Sequence, residues 1–166
     1  METNLELSLK ANEFRKLWHL FCERHTDLYE TTCDEYMHLL ASDIDLLEQT
    51  IDEKSKILIV ISTLEQQRNE ATNDIAKLLE VKKPEKLTEV IELLKANNFE
   101  QIAMEVEKLN LVLLDIIDKI QTQNKKNQFF LNKAIHSLRE LKESFSGKTN
   151  FNTYSSSGMT KSNNTY

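Results

Sequence analysis

The chain of 166 residues holds 2 glycines and 1 proline, where average usage would supply about 12 and about 8. A β-sandwich or α/β domain needs those residues at its many turns, so their scarcity excludes both. With only Gly147 and Gly158 present, a glycine-rich phosphate loop is excluded as well. Two cysteines, Cys22 and Cys33, build no disulfide framework. On one helix they stand about 16 Å apart, beyond the reach of a bridge. No run approaches the roughly 18 apolar residues of a membrane span. Met1–Phe14 shows no basic segment followed by an apolar stretch, so no export signal is expected there. A reducing, cytoplasmic setting fits these facts.

What is present is helical composition. Hydrophobic residues make up 40% and charged residues 29%, enough for one modest core. The net charge of −6 disfavours nucleic acid as a partner. Residues 1–80 carry 8 basic and 17 acidic side chains, a balance of −9, whereas residues 119–166 carry 8 basic and 2 acidic, a balance of +6. Two readings of that asymmetry stand side by side: a partner surface near the C-terminus, or a solvated face.

Apolar residues recur in steps of three and four, the signature of amphipathic helices. The first helix is expected over about Thr3–Ala41, with Phe14, Leu17, Phe21, Leu28, Tyr36 and Leu40 on its stripe. Ser42 is the expected N-cap of a second helix running to about Leu79. Inside it Ile57–Ile61 is apolar on every face, which predicts burial between two neighbours. Pro84 breaks the chain, and a short helix follows over about Glu85–Ala96. The last helix, about Phe99–Ser146, would span about 70 Å and must pack lengthwise against the first two. Its seam carries Asn124 and Asn127 beside a stutter of two consecutive four-residue steps. A polar pair on an apolar seam either fixes register or marks the point where covering helices end, and the second reading is preferred. The fold class is therefore all-α, an elongated antiparallel bundle of three long helices plus a short one over 1–146. The tail, 147–166, rich in Ser, Thr and Asn, is expected to be disordered when free.

His19, Cys22, His25 and Cys33 invite a zinc site, but Cys33 lies about 21 Å beyond His19 along a helix, and no zinc-binding spacing exists. No nucleophile has a neighbouring base in sequence, so no catalytic residue, metal or cofactor is expected, and no enzyme. If the covering helices end early, Phe129, Phe130, Leu131, Ile135, Leu138, Leu141 and Phe145 form an apolar stripe rimmed by basic residues, suited to docking another amphipathic helix.

Ser42–Arg68, with Asp45, Leu47, Glu53, Lys54, Leu58, Ile61, Leu64, Glu65 and Arg68, resembles the centre of the FlgN family of flagellar export chaperones. Asn124 and Asn127 ahead of a leucine-rich helix are similar to that family's Asn-x-x-Asn element. NTYSSSG, with Tyr154 and Gly158, resembles its tyrosine-containing tail, although Ser155 stands where the family often has Gly. The resemblance implies a cytoplasmic type III export chaperone. Its partners would be the C-terminal helices of hook–filament junction proteins, kept unassembled and delivered to the export gate. It assigns Phe130, Leu131, Ile135, Leu138, Leu141 and Phe145 to client binding and Tyr154 to gate docking. Direct membrane insertion is not expected. The competing reading is a structural coiled-coil adaptor, a homodimer whose last helix pairs with itself.

Overall fold

The computed structural model describes residues 2–145. The expected tail, and with it Tyr154, lies outside the described residues. Four α-helices follow in order: α1, Glu2–Ala41; α2, Ile44–Leu78; α3, Leu87–Ala96; α4, Glu100–Phe145. The all-helical class, with three long helices and one short one, is therefore observed. The chain divides into two units, the first ending at Asn127 and the second beginning at Gln128.

In the first unit the pairing directions follow from the cross-helix contacts. Lys10 pairs with Asp74 at 3.1 Å and Lys54 with Glu35, so α2 runs antiparallel to α1. Arg15 meets Glu105 at 3.1 Å, the Cys22 thiol donates to the Leu109 carbonyl, and Asn127 donates to the Thr32 carbonyl. Residue numbers rise together, so α1 and α4 are parallel. The segment 79–86 and α3 return the chain so that α4 can retrace the direction of α1.

The core joins all four helices. Phe14, Trp18 and Phe21 from α1, Leu64, Ala71 and Ile75 from α2, Val90, Ile91 and Leu94 from α3, and Ala103, Val106 and Leu113 from α4 pack as one cluster. Phe14 and Trp18 meet edge-on at 6.2 Å between ring centroids. Trp18 and Phe21 follow at 5.9 Å. These spacings favour aromatic pairs beyond their buried area.

Tight helix ends are made without glycine. Ser42, Glu80 and Asn98 adopt φ of 55°, 54° and 68°, a left-handed region that favours Gly. Each closes its helix in the same way. The next residue's N–H reaches back five positions: Asp43 to His38, Val81 to Ala76, Phe99 to Leu94. These are Schellman closures, and they explain how so little glycine suffices.

Three expectations need correction. Ser42 does not cap α2. It terminates α1, and Asp43 is the N-cap, its carboxylate accepting from the Leu46 N–H at 3.1 Å. The short helix starts at Leu87 rather than Glu85, because the Glu89 carboxylate accepts from the Glu85 and Lys86 N–H groups and holds them outside the helix. The run Ile57–Ile61 is not enclosed, since Leu58, Ile59 and Val60 are exposed. The buried residues of α2 (Thr50, Leu64, Ala71, Thr72, Ile75, Ala76) fall within an arc of about 140° at 100° per residue. Its neighbours therefore lie on one side only, and an all-round apolar run has one face left over.

Candidate functional site

The core gives way to a polar cluster at the C-terminal end of the first unit. Asn127 is buried at 4% exposure, so its place on the seam is not a sign of uncovered helix. It locks register, the reading of the seam not preferred above. Its amide donates to the Thr32 carbonyl at 2.8 Å and to the Glu35 carboxylate at 3.0 Å, while its oxygen accepts from Gln123 at 2.9 Å. Lys54 of α2 pairs with the same Glu35 and donates to Asn124 at 3.2 Å. Lys126 sits over the Tyr36 ring at 4.2 Å. The Thr32 hydroxyl donates to the Leu28 carbonyl, and its backbone oxygen, inside α1, accepts from Asn127 on the lone pair that the helix bond leaves over. A side-chain amide can satisfy a donor and an acceptor at once. Sliding α4 by one turn against α1 would leave the buried Asn127 amide without the two acceptors it now reaches on α1, so the cluster fixes the register of α4 on α1.

The second unit, from Gln128 to the end of α4 at Phe145, has a different surface. Leu131, Ile135, Leu138, Leu141 and Phe145 are all exposed, Phe145 at 86%, and Phe130 is half-buried. At 100° per residue these six lie within an arc of about 140° on one helix face. They are therefore brought together as one stripe. Phe129, 63% exposed, lies on the opposite face, where Lys133 covers its ring at 5.3 Å. Lys133, Arg139 and Lys142 supply positive charge around the stripe against Glu140 and Glu143. His136 and Glu140 form a loose exposed pair at 3.6 Å. Contiguous apolar stripes of this kind mark interaction surfaces more than isolated exposed leucines do.

Three of the four residues weighed for zinc go to separate partners. His19 meets Glu105 at 2.8 Å, Cys22 the Leu109 carbonyl, and His25 the Phe21 carbonyl. Glu105 is held below the usual carboxylate range, first by His19 and then by Arg15. Burial raises the Cys22 thiol, the direction opposite to that of a reactive thiolate. Among the described residues no three His, Cys, Asp or Glu side chains gather as a metal would require. No described helix is long and apolar enough to cross a membrane.

Sequence reasoning missed the partners of Asn127. The available signal was Thr32 and Glu35, polar residues standing on the α4-facing side of α1 opposite the seam asparagines.

No curated protein and no solved structure matches the chain. The FlgN protein family model matches over residues 12–162, an interval that contains most of α1, all of α2, α3 and α4, the polar cluster, the apolar stripe and Tyr154. The chain belongs to the FlgN family, the family of flagellar export chaperones.

Proposed function

We propose that this chain is a cytoplasmic chaperone for the C-terminal helical segments of hook–filament junction proteins, holding them unassembled until delivery to the export gate. The observation that carries this reading is the apolar stripe of the second unit, Leu131, Ile135, Leu138, Leu141 and Phe145, with Phe130 at its edge. A client segment that becomes helical only on assembly presents an amphipathic face. Its apolar residues at i, i+3, i+4 and i+7 match such a stripe. Segments that fold on binding give up ordering entropy at that moment, so the complex can be tight enough to protect and weak enough to release. Tyr154 is the proposed gate contact on family grounds alone. The chain performs no catalytic step of its own in this reading and needs no cofactor.

The test is titration calorimetry with a peptide of a junction protein's C-terminal helix, run on the intact chain and on a chain truncated after Asn124. Binding to the intact chain that disappears on truncation is expected. Absence of binding to either, together with a stable dimer by light scattering, would replace this reading with the homodimeric adaptor, since a self-paired last helix would bury the same stripe.

A further inference from the structure

A second apolar surface lies in the first unit, where α3 packs on α4. A groove of about 580 Å³ runs there, floored by Leu87 and Ile91 of α3 and by Met104 and Leu111 of α4. Met104 is 52% exposed and Leu111 68%, so the floor faces outward. Met104 and Leu111 are seven residues apart, about 10.5 Å along the axis, and Leu87 and Ile91 four apart, about 6 Å. The spacings match the apolar rows of a docked helix. The rim carries two lysines and one glutamate. Glu107 is already engaged by Lys95 at 2.9 Å, and the rim charges not committed to an ion pair are Lys86 and Lys108. The polar groups stand at the rim and none is deeply buried, so nothing there would orient a small ligand, whereas a long amphipathic segment needs only the floor and the rim.

We propose that the α3–α4 groove docks an amphipathic helix of another protein, with apolar residues at i, i+3 or i+4 and i+7 and glutamate or aspartate on its flanks. The argument is charge complementarity around an apolar floor, and it does not rest on the client reading of the second unit. A second copy is the less suitable occupant. The acidic segment 27–53 of this chain has nine carboxylates and no Lys or Arg, but seating it in the groove of a neighbour would be a heterologous contact, which extends into open filaments unless the rotation closes.

The probe is a fluorescein-labelled designed helix carrying leucines at i, i+4 and i+7 flanked by glutamates, followed by anisotropy on the full chain. A lysine-for-glutamate version serves as the comparison. The glutamate helix is expected to bind at least tenfold more tightly than the lysine helix, with an affinity that falls as salt rises. The double variant Lys86→Glu, Lys108→Glu is expected to weaken it at least tenfold and to reverse the preference. Leu111→Ser, at an exposed position, should weaken it with an unchanged melting curve, so a folding failure in the double variant would not decide the matter. Leu138→Asp should leave binding unaltered. No binding of the glutamate helix, or loss only in Leu138→Asp, would overturn the proposal. So would concentration-dependent self-association abolished by Lys86→Glu, which would assign the groove to a second copy.

Discussion

The two stretches of α4 share one periodicity and have opposite fates. Over 100–127, Ala103, Val106, Leu113, Ile120 and Asn127 are buried. Over 128–145 the same three- and four-residue steps continue through Leu131, Leu138, Leu141 and Phe145, and each of these is exposed. Periodicity therefore reports that a face is apolar and says nothing about what covers it. The divide is marked by polar chemistry, since the last buried residue of the helix is the asparagine bonded to Thr32 and Glu35. Propensity and i,i+4 pairing can hold the later turns as helix, but Leu138 and Phe145, at 66% and 86% exposure, gain little burial energy within the described chain. An apolar surface kept in water without a folding role is best accounted for by binding.

The contrast is sharpest in paired core and stripe substitutions. Phe14→Ala removes an aromatic side chain at 1% exposure and should cost about 3–5 kcal/mol by lost transfer energy plus cavity. Leu138→Asp, at a position 66% exposed, should change stability by less than about 0.5 kcal/mol while weakening client binding by roughly tenfold, the order of one lost apolar contact. Urea melts and calorimetry on the two variants check both halves. A stability loss at Leu138 comparable to that at Phe14, with binding unchanged, would erase the distinction between the regions.

The boundary itself can be broken at Asn127. Asn127→Ala removes the second donor of the Thr32 carbonyl and of the Glu35 oxygen that Lys54 also holds. Losing two buried hydrogen bonds, at about 0.5–1.5 kcal/mol each, costs about 1–3 kcal/mol. Asn124→Ala removes only an exposed acceptor of Lys54 and should cost far less. Equal losses at the two positions in denaturant unfolding would show that the buried bonds do not set the register.

How much of this was legible beforehand follows from the same physics. Helix number and bounds could be read within a residue or two, because stripes and breaks are local. Of the seven residues expected on the stripe, six share one arc, whereas Phe129 falls on the opposite face under Lys133, because an apolar neighbour in sequence is 100° away on a helix. Burial was less so. Ile57–Ile61 looks enclosed by composition, yet only the placement of α1 and α4 on one side of α2 decides that Leu58 and Ile59 face water. Ser42 and Asp43 are both good caps by residue type, and the positive φ at Ser42, a product of the closure onto Leu39 and His38, selects Asp43. The Asn127 contacts span 92 and 95 positions in sequence, and no local pattern encodes them. The α3–α4 groove is lined jointly by a ten-residue helix and the start of α4, a pairing that composition does not contain.

The smallest expected effect concerns pH, and it separates the regions by their ion pairs. Glu105 accepts from His19 at 2.8 Å and from Arg15 at 3.1 Å, and these bonds lower its pKa. A depressed carboxylate stabilises the fold fully above the unfolded value of about 4.3, and the contribution is lost as pH falls through the lower folded value. Glu105→Gln cannot ionise and lacks this dependence. The native chain should therefore melt above Glu105→Gln at pH 7, with the gap closing below about pH 4. The pair is partly exposed, at 32% for Arg15 and 34% for Glu105, so added salt should narrow the gap at pH 7. In the second unit, His136 and Glu140 stand 3.6 Å apart at 72% and 68% exposure, and Glu140→Gln should leave melting unchanged across the same range, because water screens so exposed a pair. A gap at Glu105 that persists unchanged at pH 3 would mean that the carboxyl acts there as a neutral hydrogen-bonding group, and that the parallel pairing of α1 with α4 draws nothing from its charge.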